Sequence, residues 1–228
     1  MMQLRNPNLF INFKTYSEAT AGNALDLAKK AEKAAKTSKG SVALVVQALD
    51  LRMIAESVKL PVFAQHIDPI DPGSHTGHIL ASAVKAAGAV GTVLNHAENK
   101  RDNVFLSKAI EKAKQAGLIV MACAETTERA RQIAAFPVKP DLIAVEPPEL
   151  IGGDISVSTA KPELITESVA AIKEIAPEID VITGAGIKTG ADVKKAVELG
   201  TCGVFVASGI IKAADRYKAI TDLLQGFC

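Results

Sequence analysis

Apolar residues along the chain follow two alternating patterns. One is a series of short, nearly unbroken runs at residues 9–12, 42–46, 62–64, 89–94, 118–122, 142–145, 181–183 and 203–207. Most are β-branched or bulky and lack polar alternation, as expected of strands buried on both faces in a parallel sheet. The other pattern has helical spacing. Residues 18–36 set Leu25, Ala28, Ala31, Ala34 and Ala35 among lysines and acids, an apolar stripe along one side of a helix. Residues 103–116 repeat it with Phe105, Ile110 and Ala113, and 163–176 and 212–224 follow. Gly88, Gly117 and Gly200 stand before the next apolar run, where a helix ends in a residue that tolerates positive φ.

Eight strand–helix units in 228 residues leave about 28 residues apiece, close to the minimum for a strand, a crossover helix and two turns. No linker, low-complexity tract or break in composition divides the chain, so residues 1–228 are predicted to form a single domain. Alternating βα units give a parallel α/β fold. Eight of them favour a closed (β/α)8 barrel with short helices and loops over the doubly wound open sheet that shares the pattern.

Composition narrows the function classes. With 48% hydrophobic residues and 22% charged, the chain has enough apolar surface to offset the entropy of ordering it. A net charge of +1 and 4% aromatics argue against nucleic acid as a partner, since a basic surface or a stacking platform would be needed. No apolar run approaches the roughly 20 residues that cross a bilayer, so no membrane partner is expected. Three scattered cysteines, Cys123, Cys202 and Cys228, do not make a disulfide framework and point to a reducing cytoplasm.

In such barrels chemistry is built at the C-terminal ends of the strands, so the polar residues following each run matter most. They are Asn12 and Lys14 after the first, Gln65 and His66 after the third, and His96 and Glu98 after the fourth. Cys123 and Glu125 follow the fifth run and Glu146 the sixth. Glycine-rich turns around Gly184 and Gly186 and around Ser208 and Gly209 follow the seventh and eighth, where barrels commonly bind phosphate through backbone N–H groups. A carboxylate can remove a proton from carbon beside a carbonyl if a cation and hydrogen-bond donors stabilise the oxyanion. Glu146 suits the first task, and Lys14 and His96 the second. No metal ion or organic cofactor is required.

The ordered set 12–14 (Asn-Phe-Lys), 73–77 (Gly-Ser-His-Thr-Gly), 95–98 (Asn-His-Ala-Glu), 146–152 (Glu-Pro-Pro-Glu-Leu-Ile-Gly), 184–187 and 207–209 resembles triosephosphate isomerase, particularly its compact archaeal form. The resemblance implies interconversion of dihydroxyacetone phosphate and D-glyceraldehyde 3-phosphate in glycolysis and gluconeogenesis. It implies Glu146 as base, His96 as neutral electrophile, Lys14 as fixed positive charge with Glu98 holding it, and Asn12 positioning the substrate. Backbone groups at Ile151, Gly186, Ala207 and Ser208 are implied phosphate ligands, and residues 147–153 a closing lid. That lid carries Glu149 where the better-known forms have Trp, and the chain has no Trp. The 73–77 segment resembles one that enters a neighbouring subunit, bringing Thr76 near Asn12 of the partner subunit or Glu98 of the partner subunit. A homo-oligomer is thus implied, dimer or tetramer.

Other readings share parts of this pattern. A sugar-phosphate epimerase or lyase would keep the glycine-rich turns without the Asn12, Lys14, His96 and Glu146 set, and a non-catalytic phosphometabolite-binding barrel would not need it. His66, Asp68, Asp71, His75 and His78 form a dense group, but their spacing lacks a recognised metal-ligand pattern. Cys123 reads as a buried apolar residue.

Overall fold

A computed structural model describes residues 8–38, 40–147 and 156–227. The strands are β1 (Asn8–Asn12), β2 (Ser41–Val46), β3 (Val62–Ala64), β4 (Gly91–Leu94), β5 (Ile119–Ala124), β6 (Leu142–Val145), β7 (Asp180–Gly184) and β8 (Gly203–Val206). All pair in parallel in chain order, and β8 returns to β1 with Leu9 opposite Val204 and Ile11 opposite Val206. The expected closed eight-stranded barrel is what forms, and the open-sheet alternative is set aside.

Alternation along each strand divides the apolar side chains between two cores. One set, including Phe10, Val45, Phe63, Met121, Ile182 and Phe205, fills the barrel interior, with Phe10 and Phe63 meeting edge to face at 5.5 Å. The other, including Leu9, Ile11, Leu44, Val145 and Val204, packs outward against the helices. Beyond the partly exposed opening residues Ser41, Ile119 and Asp180, the strands are buried, which is why they read as nearly continuous apolar runs.

The outer ring comprises α1 (Gly22–Ala35), α2 (Leu51–Ser57), α3 (Ala81–Ala86), α4 (Asn103–Gln115), α5 (Thr127–Ala134), α6 (Val157–Ala160), α7 (Pro162–Ile175), α8 (Gly190–Glu198), α9 (Ser208–Ile211) and α10 (Arg216–Gln225). Ala24, Leu27, Ala28, Ala31 and Ala34 form the buried stripe of α1. The helix expected from residue 18 starts at Gly22, after a 3-10 turn over Ser17–Ala19. At the break, Ala21 takes φ 53° and ψ −123° while its N–H donates to both oxygens of Asp50. Likewise the helix expected from residue 212 starts at Arg216, where Asp215 caps α10 by accepting from Lys218 N–H at 3.0 Å, and the short α9 ends before it at Ile211. Gly88, Gly117 and Gly200 all take positive φ just beyond α3, α4 and α8, as expected of helix-ending glycines.

Candidate active site

Four of the expected side chains converge at the C-terminal mouth of the barrel. Asn12 ends β1, Lys14 follows it, His96 stands two residues past β4 and Glu146 directly follows β6. With the turns at 185–188 and 206–209 they line one cleft.

Lys14 is held in the left-handed region, at φ 47°, a conformation costly for a non-glycine residue and kept only where its surroundings over-determine it. Here they do. Its N–H donates to Asn12 Oδ1 at 3.0 Å, its carbonyl accepts from Gln65 Nε2 at 2.9 Å, and the Phe13 side chain beside it is fully buried. The ammonium then reaches Glu98 Oε1 at 2.6 Å. Glu98 thus pairs with Lys14.

His96 is positioned by Asn95, also left-handed at φ 59°. The Asn95 amide donates to the Cys123 carbonyl at 2.8 Å and its oxygen accepts Arg101 N–H at 2.8 Å, tying the β4 loop to β5. Glu98 N–H donates to His96 Nδ1 at 3.2 Å. Nδ1 must then be unprotonated, leaving the neutral imidazole's proton on Nε2. Burial holds His96 below its usual pKa, and the Lys14 charge adds to that against the opposing Glu98 carboxylate. Nε2 lies 3.7 Å from Glu146 Oε2, beyond a direct hydrogen bond.

Glu146 is 5% exposed. Burial pushes its carboxyl up to about 7, against the lowering influence of Lys14 and of a hydrogen bond with the Cys123 thiol. Among the described residues Oε2 has no hydrogen-bond partner although it is buried. A buried acceptor without a partner costs free energy on the order of 1–3 kcal/mol, a cost that a site designed to receive a proton there would accept. Oε1 faces Gly184 so closely that a methyl group at 184 would overlap it.

Gly184 and Cys123 therefore serve the site in ways that sequence reasoning missed. Gly184 reads as a phosphate-turn glycine, yet its bare Cα is what admits the carboxylate. Cys123 was expected as a packed apolar residue and is indeed 3% exposed, but its thiol also bonds Glu146 and is itself pushed up by burial and by that carboxylate. Strand pairing carries the signal that could have found both: Cys123 lies opposite Ala144, two residues before the base, and Thr183, just before Gly184, lies opposite Val145.

The turn after β7 has Ala185 at φ 68° and Gly186 at φ 73°, two successive left-handed residues at the cleft wall. Ala207 and Ser208 line the same cleft from β8. Ile151 and the rest of the expected lid after Pro147 lie outside the described residues, as does Cys228. Thr76 is not brought to the cleft. Residues 71–78 are exposed, and Asp68 closes the neck of their loop by donating its N–H to the Ile79 carbonyl at 2.8 Å and accepting Ile79 N–H at 2.7 Å. Among the described residues, no three His, Cys, Asp or Glu side chains are gathered as a metal site requires.

A family model described as triosephosphate isomerase matches residues 7–224. The chain is 47% identical over 218 residues to the triosephosphate isomerase of Methanothermus fervidus, covering 96% of this chain and 97% of that one. Identity to the Methanocaldococcus jannaschii protein of the same name is 46% over 217 residues, covering 95% and 98% respectively. For the Methanobacterium bryantii protein it is 47% over 219 residues, 96% of each chain.

Proposed function

The chain belongs to the triosephosphate isomerase family, whose reaction interconverts dihydroxyacetone phosphate and D-glyceraldehyde 3-phosphate, and we propose that Glu146, His96 and Lys14 carry it out through an enediol(ate). The observation that carries this assignment is a buried, unpartnered carboxylate oxygen facing an imidazole Nε2 across 3.7 Å. Glu146 Oε2 takes the proton from the carbon beside the substrate carbonyl. The His96 Nε2–H hydrogen-bonds the carbonyl oxygen, on which negative charge develops, and the Lys14 ammonium stabilises that charge. His96 gives its Nε2 proton to that oxygen and takes one back from the neighbouring hydroxyl, so the hydroxyl proton moves between the two oxygens, and protonated Glu146 returns the carbon proton to the neighbouring carbon. A base pushed up to about 7 is strong enough to take the proton near neutrality and acidic enough to give it back.

Asn12 orients the substrate, and backbone N–H groups at Gly186, Ala207 and Ser208 receive its phosphate, with Ile151 added by family resemblance. No step calls for a cofactor. The proposed catalytic set draws on the first, fourth and sixth units and the phosphate turns on the seventh and eighth, which supports reading 1–228 as one domain. A homo-oligomer, at least a dimer, is also proposed. Its support is the exposed but clasped 71–78 loop and the 96% exposed Leu49 beside the mouth, which suit entry of Thr76 at the rim of a second copy. Two free thiols, Cys123 and Cys202, suit a reducing cytoplasm, and no helix among the described residues is long and apolar enough to cross a membrane.

The test is coupled isomerisation of glyceraldehyde 3-phosphate by the purified chain. Wild type turns over, Glu146→Asp loses most of the rate, and Glu146→Gln and His96→Gln lose more. Glu146→Gln as active as wild type would refute the assignment.

A further inference from the structure

The N-terminus of α8 carries more hydrogen bonding than a helix end needs. Thr189 and Asp192 form a capping box: Asp192 N–H donates to Thr189 Oγ1 at 3.3 Å, and Thr189 N–H donates to Asp192 Oδ2 at 2.9 Å. That alone satisfies the cap. The same Oδ2 also accepts Lys188 N–H at 3.1 Å, and Lys188 is the last residue of the 185–188 turn lining the cleft. On its other side Asp192 meets a buried pair of hydroxyls. Ser158, 0% exposed, donates to the Asp192 carbonyl at 3.2 Å and lies 3.0 Å from Ser156 Oγ. Ser156, 3% exposed, hydrogen-bonds the Asp192 carboxylate. Burial works against ionisation of that carboxyl, but the bonds from Ser156, Lys188 and Thr189 outweigh it and hold it below its usual pKa. Ser158 precedes Asp192 by 34 positions, so the contact joins two separate stretches of chain.

We propose that Asp192 is a positioning residue for phosphate recognition, fixing the Lys188 end of the 185–188 turn against the buried Ser156–Ser158 pair so that the turn's N–H groups keep their aim into the cleft. It acts through the turn and does not touch the substrate. The inference rests on the reading of that turn as a phosphate ligand. The turn keeps Ala185, a non-glycine, at φ 68° only while its surroundings over-determine it. Released at the Lys188 end, it would sample other conformations, and a binder that must be reordered binds more weakly. Losing one anchoring hydrogen bond weakens phosphate binding by about three- to ten-fold.

The probe is inorganic phosphate as a competitive inhibitor of isomerisation, measured on the full chain with KM, kcat and melting temperature. Asp192→Ala removes the carboxylate oxygen that accepts Lys188 N–H, and Ser158→Ala removes only a hydroxyl. Both are expected to raise the phosphate Ki and KM about three- to ten-fold with kcat within about two-fold. Thr189→Ala breaks the cap but spares the Lys188 and Ser158 bonds. It is expected to lower the melting temperature with Ki within about two-fold. Unchanged Ki in Asp192→Ala and Ser158→Ala, or an equal rise in Thr189→Ala, overturns the inference and leaves Asp192 a helix cap. A wild type that isomerises but is not inhibited by phosphate overturns instead the reading of the turn.

Discussion

Gly184 offers the sharpest single-atom perturbation of the base. A methyl group there would lie 2.8 Å from the Phe205 carbonyl oxygen and 2.9 Å from the Glu146 carboxyl carbon. Carbon atoms rest at about 3.5–4.0 Å, so Gly184→Ala must move the carboxylate by about 1 Å or distort β8. Gly184 does not use positive φ, so alanine carries no φ penalty and the effect comes from its contacts with Glu146 and the Phe205 carbonyl. Misplacing a reacting group by about 1 Å costs on the order of a hundred-fold, or about 2.7 kcal/mol in the barrier. Overpacking adds destabilisation of about 1–3 kcal/mol. The assay is kcat/KM in the coupled reaction at a temperature where a melt shows the variant folded. In Glu146→Asp the carboxylate is already withdrawn, so adding Gly184→Ala to it should cost less than about ten-fold more, because the two changes share one contact. A Gly184→Ala enzyme within about three-fold of wild type, or a double variant showing the full product of the single losses, would refute this reasoning.

Burial of Glu146 also ties activity to stability. Its pKa rises from 4.5 unfolded to about 7 folded, so the fold favours the protonated form. That favourable contribution is complete below pH 4.5 and is lost as pH rises through about 7. Glu146→Gln, which cannot ionise, should therefore exceed wild type in stability at pH 8 by up to about 3 kcal/mol while losing activity; an equal or lower stability in denaturant melts contradicts the pKa reading. Ala21→Gly should relieve the strained backbone at φ 53° and gain about 1 kcal/mol, raising the melting temperature by about 2–4 °C, and a fall would contradict it. Sedimentation should give a dimer or larger; a fully active monomer at micromolar concentration removes the role proposed for Thr76.

The barrel was legible because its strands are buried on both faces, so each appears as an uninterrupted apolar run. Residues 62–64 and 142–145 match β3 and β6 to the residue. At 89–94 the run began two residues early: Ala89 and Val90 are apolar because they pack, and Val90 N–H already donates to the Val62 carbonyl before β4 starts. The start of α1 was misread because Ala21 is held out of helix by Asp50, a residue 29 positions away that no local periodicity reports. The same divide runs through the site. Lys14, His96 and Glu146 were visible as polar residues closing apolar runs. The roles of Gly184, Asn95 and Asp192 were not, because their work is done by contacts across strands and between loops.

The central claim is that Glu146 moves the proton, and isotope exchange tests it most directly. Dihydroxyacetone phosphate incubated with the enzyme in D2O should gain carbon-bound deuterium, followed by NMR, as the base returns a solvent-derived deuteron. Wild type is expected to exchange rapidly and Glu146→Gln no faster than buffer. Exchange by folded Glu146→Gln near the wild-type rate would contradict the account.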